Sequence, residues 1–157
     1  MGIRLSLARN ADAASIADMS RRHIETGLPW SWTEERVARC IRHADCAVLT
    51  ARDHRRLAGF AIMEFLDEHA HLSLLAVQAG FRQRGVGTAL VRWLEASART
   101  AGIFIIRLEL RADNDVARAF YEQLGYREVG RRKAYYGGIE DARCMARDLA
   151  SEPESRA

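Results

Sequence analysis

The chain has 157 residues, 48% of them hydrophobic and 29% charged, with a formal net charge of +3. That size and balance fit one globular domain, residues 1–150, followed by a short disordered tail, 151–157, and argue against a second domain. No apolar run approaches the roughly 20 residues of a membrane span, and Met1 to Asn10 has no signal-peptide apolar region, so the expected location is the cytoplasm.

In chain order, Ile3 to Ala8 alternates weakly and reads as a first strand. Asn10 or Asp12 caps a helix with Ile16, Met19, His23 and Ile24 at 3- and 4-residue spacing, and Gly27 stops it. Leu28 to Trp32 is a loop. Ser31 and Glu34 form a capping-box pattern ahead of a second helix with Val37 and Ile41 inward. Ala47–Arg52 and Leu57–Leu66 read as a hairpin, with Gly59 at a bulge. His71–Val77 is the next strand. A helix over 84–100 carries Val86, Leu90, Val91 and Leu94 inward, and the nearly apolar Ile103–Leu110 reads as a strand buried on both faces. Together these three form a βαβ crossover. A helix from Asn114 or Asp115 turns Val116, Phe120 and Leu124 inward and ends at Gly125. Tyr126–Tyr136 and Ala142–Leu149 close the fold around Gly137-Gly138.

The segment joining strand 71–77 to its helix carries the most chemistry. It reads Leu75-Ala76-Val77, four residues, then Arg82-Gln83-Arg84-Gly85-Val86-Gly87-Thr88. Glycines at 85 and 87 let a ligand approach the backbone. The first helical turn leaves N–H groups without partners at the positive end of the dipole, and Arg82 and Arg84 add full charges. Such a turn suits a phosphate or diphosphate. A dinucleotide fingerprint would need a third glycine where Leu90 stands, and a P-loop would need Gly-Lys-Ser/Thr. A plain glycine-containing turn is the alternative.

Other features read more plainly. Cys40, Cys46 and Cys144, an odd count without Cys-x-x-Cys spacing, argue against a disulfide framework or a zinc site and read as buried free thiols. His69-x-His71 lacks a third ligand and reads as a turn histidine and a strand histidine, so no metal is expected. Trp30 and Trp32 line a groove or pack on the core. All basic residues but Lys133 are arginines, spread along the chain. Arg131-Arg132-Lys133 reads as a solvated face.

The spacing Val77-x4-Arg82-x-x-Gly85-x-Gly87 resembles the acetyl-CoA signature of the Gcn5-related N-acetyltransferases. Asn114, Ala119-Phe120-Tyr121-Glu122 and Leu124-Gly125-Tyr126 resemble that superfamily's next element. Within it, the chain resembles the bacterial ribosomal-protein-alanine N-acetyltransferases, through Leu108-Glu109-Leu110-Arg111-Ala112-x-Asn114, Tyr121 to Tyr126, Arg131-Arg132-x-x-Tyr135-Tyr136, Glu140-Asp141-Ala142 and Met145. It departs from them at Gly137-Gly138-Ile139, where they carry a longer proline-containing loop, and in the N-terminal third.

The resemblance implies a mixed α/β fold: a mostly antiparallel sheet of six to seven strands, about four helices, and a parallel pair that splays apart. It implies acetyl-CoA as cosubstrate and transfer to a primary amine, most plainly a protein N-terminus. Backbone N–H groups of Leu75, Ala76 and Val77 would hold the pantetheine arm and polarise the carbonyl. Arg82, Gln83, Arg84, Gly85, Val86, Gly87 and Thr88 would wrap the diphosphate, and Asn114 would touch the cofactor. Glu109 would be the general base, its pKa raised by burial between Leu108 and Leu110; otherwise it is a carboxylate paired with Arg107 or Arg111. Tyr121 would protonate the leaving thiolate, or else pack beside Phe120. The alternatives are a small-amine acetyltransferase (polyamine, amino acid or aminoglycoside), a non-catalytic acyl-CoA sensor, and a small RNA-associated module. A monomer or homodimer is expected, with no membrane or direct nucleic-acid partner.

Overall fold

A computed structural model describes residues 2–151. The tail expected over 151–157 lies, beyond Ser151, outside the described residues. The elements are β1 (Ile3–Leu7), α1 (Ala13–His23), α2 (Glu34–Arg42), β2 (Cys46–Asp53), β3 (Arg56–Phe65), β4 (Ala70–Val77), α3 (Val86–Thr100), β5 (Ile105–Arg111), α4 (Asp115–Gln123), β6 (Arg127–Tyr136) and β7 (Glu140–Asp148). The strands form one seven-stranded sheet in the order β1-β2-β3-β4-β5-β7-β6. The expected mixed α/β architecture is therefore present. No described helix is long and apolar enough to cross a membrane.

The chain divides into two compact units. One holds the described residues through Glu64 with Leu72–Leu94; the other holds Phe65–His71 and the described residues from Glu95 onward. In the first, β1 and β2 pair antiparallel from Ile3↔Asp53 to Leu7↔Leu49. Helix α1 buries Ala13, Ile16, Ala17 and Ser20 at the 3- and 4-residue spacing that puts them on one face. Ile16, Met19, Val37, Phe60, Ile62 and Leu74 share one apolar cluster, and burying each such side chain contributes about 1.5–3 kcal/mol. The start of α1 is tied down by Asp12, whose carboxylate accepts from Arg9 N–H (2.8 Å) and from Arg52 (2.6 Å).

The cap of α2 is Thr33, whose side chain accepts from Arg36 N–H. Ser31, the expected cap, is drawn away by Glu25, which takes both its N–H (2.6 Å) and its hydroxyl (3.0 Å). The tryptophans part company: Trp32 is buried in the core cluster, while Trp30 stays on the surface. The β2–β3 register slips between Ala51↔Gly59 and Arg52↔Leu57, leaving Ala58 as the bulged residue. The close approach of β4 explains the neighbouring glycine, since a Cβ on Gly59 would stand 2.7 Å from the Ala76 carbonyl oxygen.

In the second unit, β7 lies between β5 and the edge strand β6, antiparallel to both. The parallel β4–β5 register is recorded at Ala70↔Ile106 and His71↔Arg107, at the beginning of β4. Strand β5 is not buried on both faces, as its apolar sequence suggested. Ile106, Leu108 and Leu110 are buried, while Arg107, Glu109 and Arg111 line the other, more open face. Helix α4 is turned from its expected orientation. Val116 is 83% exposed, and Tyr121 and Leu124 are the buried positions. Behind them, Tyr126 hydroxyl and Arg147 each donate to the buried Glu95 carboxylate at 2.8 Å. The three cysteines are free but half-buried rather than fully buried.

Candidate functional site

In the second unit, alternation along β5 sends Glu109 to the open face of the sheet. Its carboxylate Oε1 accepts from His71 Nε2 at 2.5 Å and from the Tyr135 hydroxyl at 3.3 Å. Arg107 and Arg111 are not its recorded partners; Arg111 pairs with Glu140 at 3.4 Å. Burial pushes the Glu109 carboxyl up, the largest single influence on it. The His71 hydrogen bond and charge, the Arg132 charge and the Tyr135 hydrogen bond together outweigh burial and hold the group below its ordinary value. The expectation of a raised pKa is thereby corrected: donors gathered on the carboxylate favour its ionised form more than partial burial disfavours it. With its side chain 11% exposed, Glu109 is a nearly enclosed carboxylate that stays charged at neutral pH. Burial and the Glu109 charge raise Tyr135 in turn, keeping its hydroxyl a donor.

Tyr121 is buried on α4, with its ring edge-on to Phe120 (5.0 Å between centroids) and to Tyr126 (5.5 Å). Burial pushes its hydroxyl far above the usual tyrosine range, so it carries its proton at any physiological pH. Asn114 caps α4: its side-chain oxygen accepts from Ala117 N–H at 3.0 Å. That leaves the Nδ2 hydrogens as the donors it could offer a ligand. An open cleft of about 310 Å³ at the C-terminal end of β5 is lined by Ala112, Asp113, Ile139, Glu140 and Asp141.

In the first unit, Leu75, Ala76 and Val77 end β4. The bulged Ala58 carbonyl takes Gln78 N–H (2.8 Å), and a 3-10 turn, Ala79–Phe81, follows. Arg82 turns back to donate to the Val77 carbonyl at 3.1 Å, and the Arg84 guanidinium sits 5.1 Å from the Phe81 ring centroid. Gln83 (φ 62°) and Gly85 (φ 80°) are both left-handed. This is why α3 begins at Val86 rather than at 84, and why a glycine stands at 85. The Gly85 carbonyl takes Ala89 N–H as the first bond of α3, so helical geometry leaves the N–H groups of Val86, Gly87 and Thr88 without intrahelical acceptors. Left-handed residues two apart, leading into a helix N-terminus, turn successive N–H groups towards a common point. Arg82 to Gly85 are exposed. The turn fits a diphosphate by these donors and by its two guanidinium groups.

His71 and Tyr135 are the members that the residue-by-residue reading did not place at Glu109. The signal for His71 was available in topology. A βαβ unit sets β4 beside β5, and His71 shares its level with Arg107, whose side of the strand also carries Glu109.

These features have counterparts in known proteins. Residues 16–126 match the model of the acetyltransferase (GNAT) family. The chain is 42% identical over 101 residues to the [ribosomal protein bS18]-alanine N-acetyltransferase of Salmonella typhimurium, covering 62% of this chain and 67% of that protein. The crystal structure of the ribosomal-protein-S18-alanine N-acetyltransferase from Escherichia coli superposes with a TM-score of 0.81 at 28% identity, covering 99% of both chains. The PaiA N-acetyltransferase of Thermoplasma acidophilum, solved in complex with coenzyme A, shares the fold with a TM-score of 0.78 at 19% identity, covering 94% of this chain and 99% of that one. Sequence motif, strand order and family match agree: this chain is a member of the GNAT acetyltransferase family, whose acyl donor is acetyl-CoA.

Proposed function

We propose that the chain transfers an acetyl group from acetyl-CoA to the N-terminal α-amine of a protein, with residues 1–150 acting as one acetyltransferase domain in the cytoplasm. The observation that carries this reading is Glu109, an enclosed carboxylate kept ionised by His71 and Tyr135. Acetyl-CoA supplies a thioester carbonyl open to attack by an amine. The N–H groups and arginines of residues 82–88 hold its diphosphate, the backbone at Leu75, Ala76 and Val77 meets the pantetheine arm, and Asn114 donates through Nδ2. Glu109 takes the proton of the incoming ammonium, directly or through water, and Tyr121, which enters the reaction protonated, gives its hydroxyl proton to the departing thiolate and regains one from water afterwards.

The depressed basicity of Glu109 bears on the acceptor. An α-amine of pKa about 8 costs roughly 1.4 kcal/mol to deprotonate at pH 7, and a lysine of about 10.4 costs roughly 4.6 kcal/mol. A carboxylate held below its usual range favours the α-amine. The names of the Salmonella and Escherichia relatives point the same way, so a peptide opening with the N-terminal alanine of bS18 is the first acceptor to try. One observation favours a second reading, a small polyamine acceptor: the cleft lined by Asp113, Glu140 and Asp141. Two of those carboxylates are already engaged, Glu140 by Arg111 and Asp141 by Ala134 N–H, which makes it the weaker reading. The test is acetyl-CoA-dependent thiol release on peptides of varied first residue beside a panel of small amines. Peptides turning over fastest supports the proposal; turnover confined to polyamines overturns it.

A further inference from the structure

Helix α4 carries one arginine, Arg118, and it stands on the inward side. Tyr121 and Leu124 are buried and Ala117 and Arg118 half-buried, while Asp115, Val116 and Ala119 are exposed. Arg118 N–H bonds the carbonyl of the cap residue Asn114 at 3.1 Å, which sets Arg118 one turn after the cap. At 3.6 residues per turn, positions 114, 118 and 121 fall within about 60° of one another around the axis. The side chain is poorly satisfied there. Its Nε is closed off from solvent and has no hydrogen-bond partner among the described residues. Its Nη2 stands 3.7 Å from the Asp115 carboxylate, too far for a hydrogen bond, and that carboxylate is 73% exposed. Such a pair holds the guanidinium only weakly. The Arg118 side chain is 37% exposed, so its exposure lies on atoms other than Nε. A secluded donor with no acceptor works against folding, and an apolar side chain would fill the same place without that cost. Packing alone therefore gives no reason for an arginine at 118; an anion bound on this face does.

We propose that Arg118 is a further cofactor-binding residue, whose guanidinium turns outward to grip a phosphate of coenzyme A. The inference rests on the acetyl-CoA reading above, in which Asn114 and Tyr121 of the same helix face meet the cofactor. A phosphate takes two parallel N–H bonds from the planar guanidinium fork, a match that a lysine ammonium lacks. Turning outward releases Nε from seclusion and breaks only the long contact with Asp115, so the ligand meets little resistance. The diphosphate and the ribose 3′-phosphate offer the same oxygen chemistry, and the two are separated by experiment.

The full chain, Arg118→Met and Arg118→Lys are titrated calorimetrically with coenzyme A, dephospho-coenzyme A and pantetheine, and each protein is melted without ligand. Arg118→Met should bind coenzyme A about tenfold more weakly than the parent, the loss expected for charge-assisted bonds to a phosphate, and pantetheine no more weakly. Its ligand-free melt should be no lower than the parent's, since methionine packs in the same place without an unmade donor. Arg118→Lys keeps the charge but not the fork, and should fall between the two. A loss that persists with dephospho-coenzyme A assigns the grip to the diphosphate; a loss that disappears assigns it to the 3′-phosphate. Coenzyme A bound by Arg118→Met as tightly as by the parent would overturn the proposal and leave the acetyl-CoA reading standing. An equal loss for pantetheine, or a lower ligand-free melt that accounts for the weaker binding, would also overturn it. No uptake of coenzyme A by the folded parent would remove the acetyl-CoA reading itself, and this inference with it.

Discussion

Replacing Glu109 by glutamine keeps the side chain's length and an oxygen for His71 Nε2 and the Tyr135 hydroxyl to donate to, but removes its charge and its ability to take a proton. Loss of a positioned general base costs about 10² to 10⁴ in rate, which corresponds to about 2.7–5.5 kcal/mol in the barrier. Fold stability should change less, because the charge-assisted bonds to Glu109 weaken while the cost of enclosing a charge disappears. Steady-state thiol release at saturating acetyl-CoA, run from pH 5 to 9 beside a thermal melt, separates the two effects. The sign of the pH dependence follows from the environment of Glu109. Its folded pKa lies below its ordinary value, so its contribution to stability is present at neutral pH and is lost only as pH falls through the folded value. Glu109 therefore sets no limb of the rate profile between pH 6 and 8. The fall in rate towards acid there belongs to the acceptor amine and should move when acceptors of different amine pKa are compared. A Glu109→Gln enzyme with unchanged turnover across the range would remove Glu109 from the reaction. An acid limb that stays fixed when the acceptor changes would assign it to a group on the enzyme.

Tyr121→Phe should slow transfer by about 10² or more if its hydroxyl supplies the leaving proton, with a melt within about 1 kcal/mol of the parent because the ring packing on Phe120 and Tyr126 is retained; full activity would make Tyr121 a packing residue. Gly85→Ala places a side chain at φ 80°, a strain of about 1–2 kcal/mol, and should weaken coenzyme A binding in a titration even though open space awaits the added methyl. Glu95→Ala leaves Arg147 buried without its carboxylate and should cost about 3–5 kcal/mol in urea denaturation. Tyr126→Phe removes one donor to Glu95 and should cost about 1–3 kcal/mol; equal losses for these two variants would contradict the central place given to the Glu95 charge.

The elements themselves were legible because spacing and stop signals are local. The Gly125 stop, the β2–β3 hairpin and the apolar face of α3 each follow from residues a few positions apart. The 82–88 turn was legible for the same reason, since its glycine and arginines are contiguous. What escaped was set by distant partners. Strand β5 read as buried on both faces because Ile103–Leu110 is nearly all apolar, yet Glu109 finds donors on β4 and β6 and takes its strand face with it. Ser31 matched a capping box, but Glu25 competes for it from six residues upstream. The rotation of α4 about its axis rests on burying Tyr121 and Leu124 beside Tyr126, which the local spacing of Val116, Phe120 and Leu124 also permitted. The pKa direction at Glu109 was the subtlest loss, because burial was visible in its neighbours Leu108 and Leu110 while His71 lies 38 residues away.

The central claim is that the left-handed turn ahead of α3 grips a diphosphate and so brings acetyl-CoA to the protein. Isothermal titration of the full chain with coenzyme A, and separately with pantetheine, tests it without any acceptor. The account predicts heat of binding for coenzyme A and at least about tenfold weaker binding for pantetheine, which lacks the charged groups worth roughly 1.5–3 kcal/mol per hydrogen bond. Equal affinity for the two, or no uptake of coenzyme A by folded protein, would contradict it.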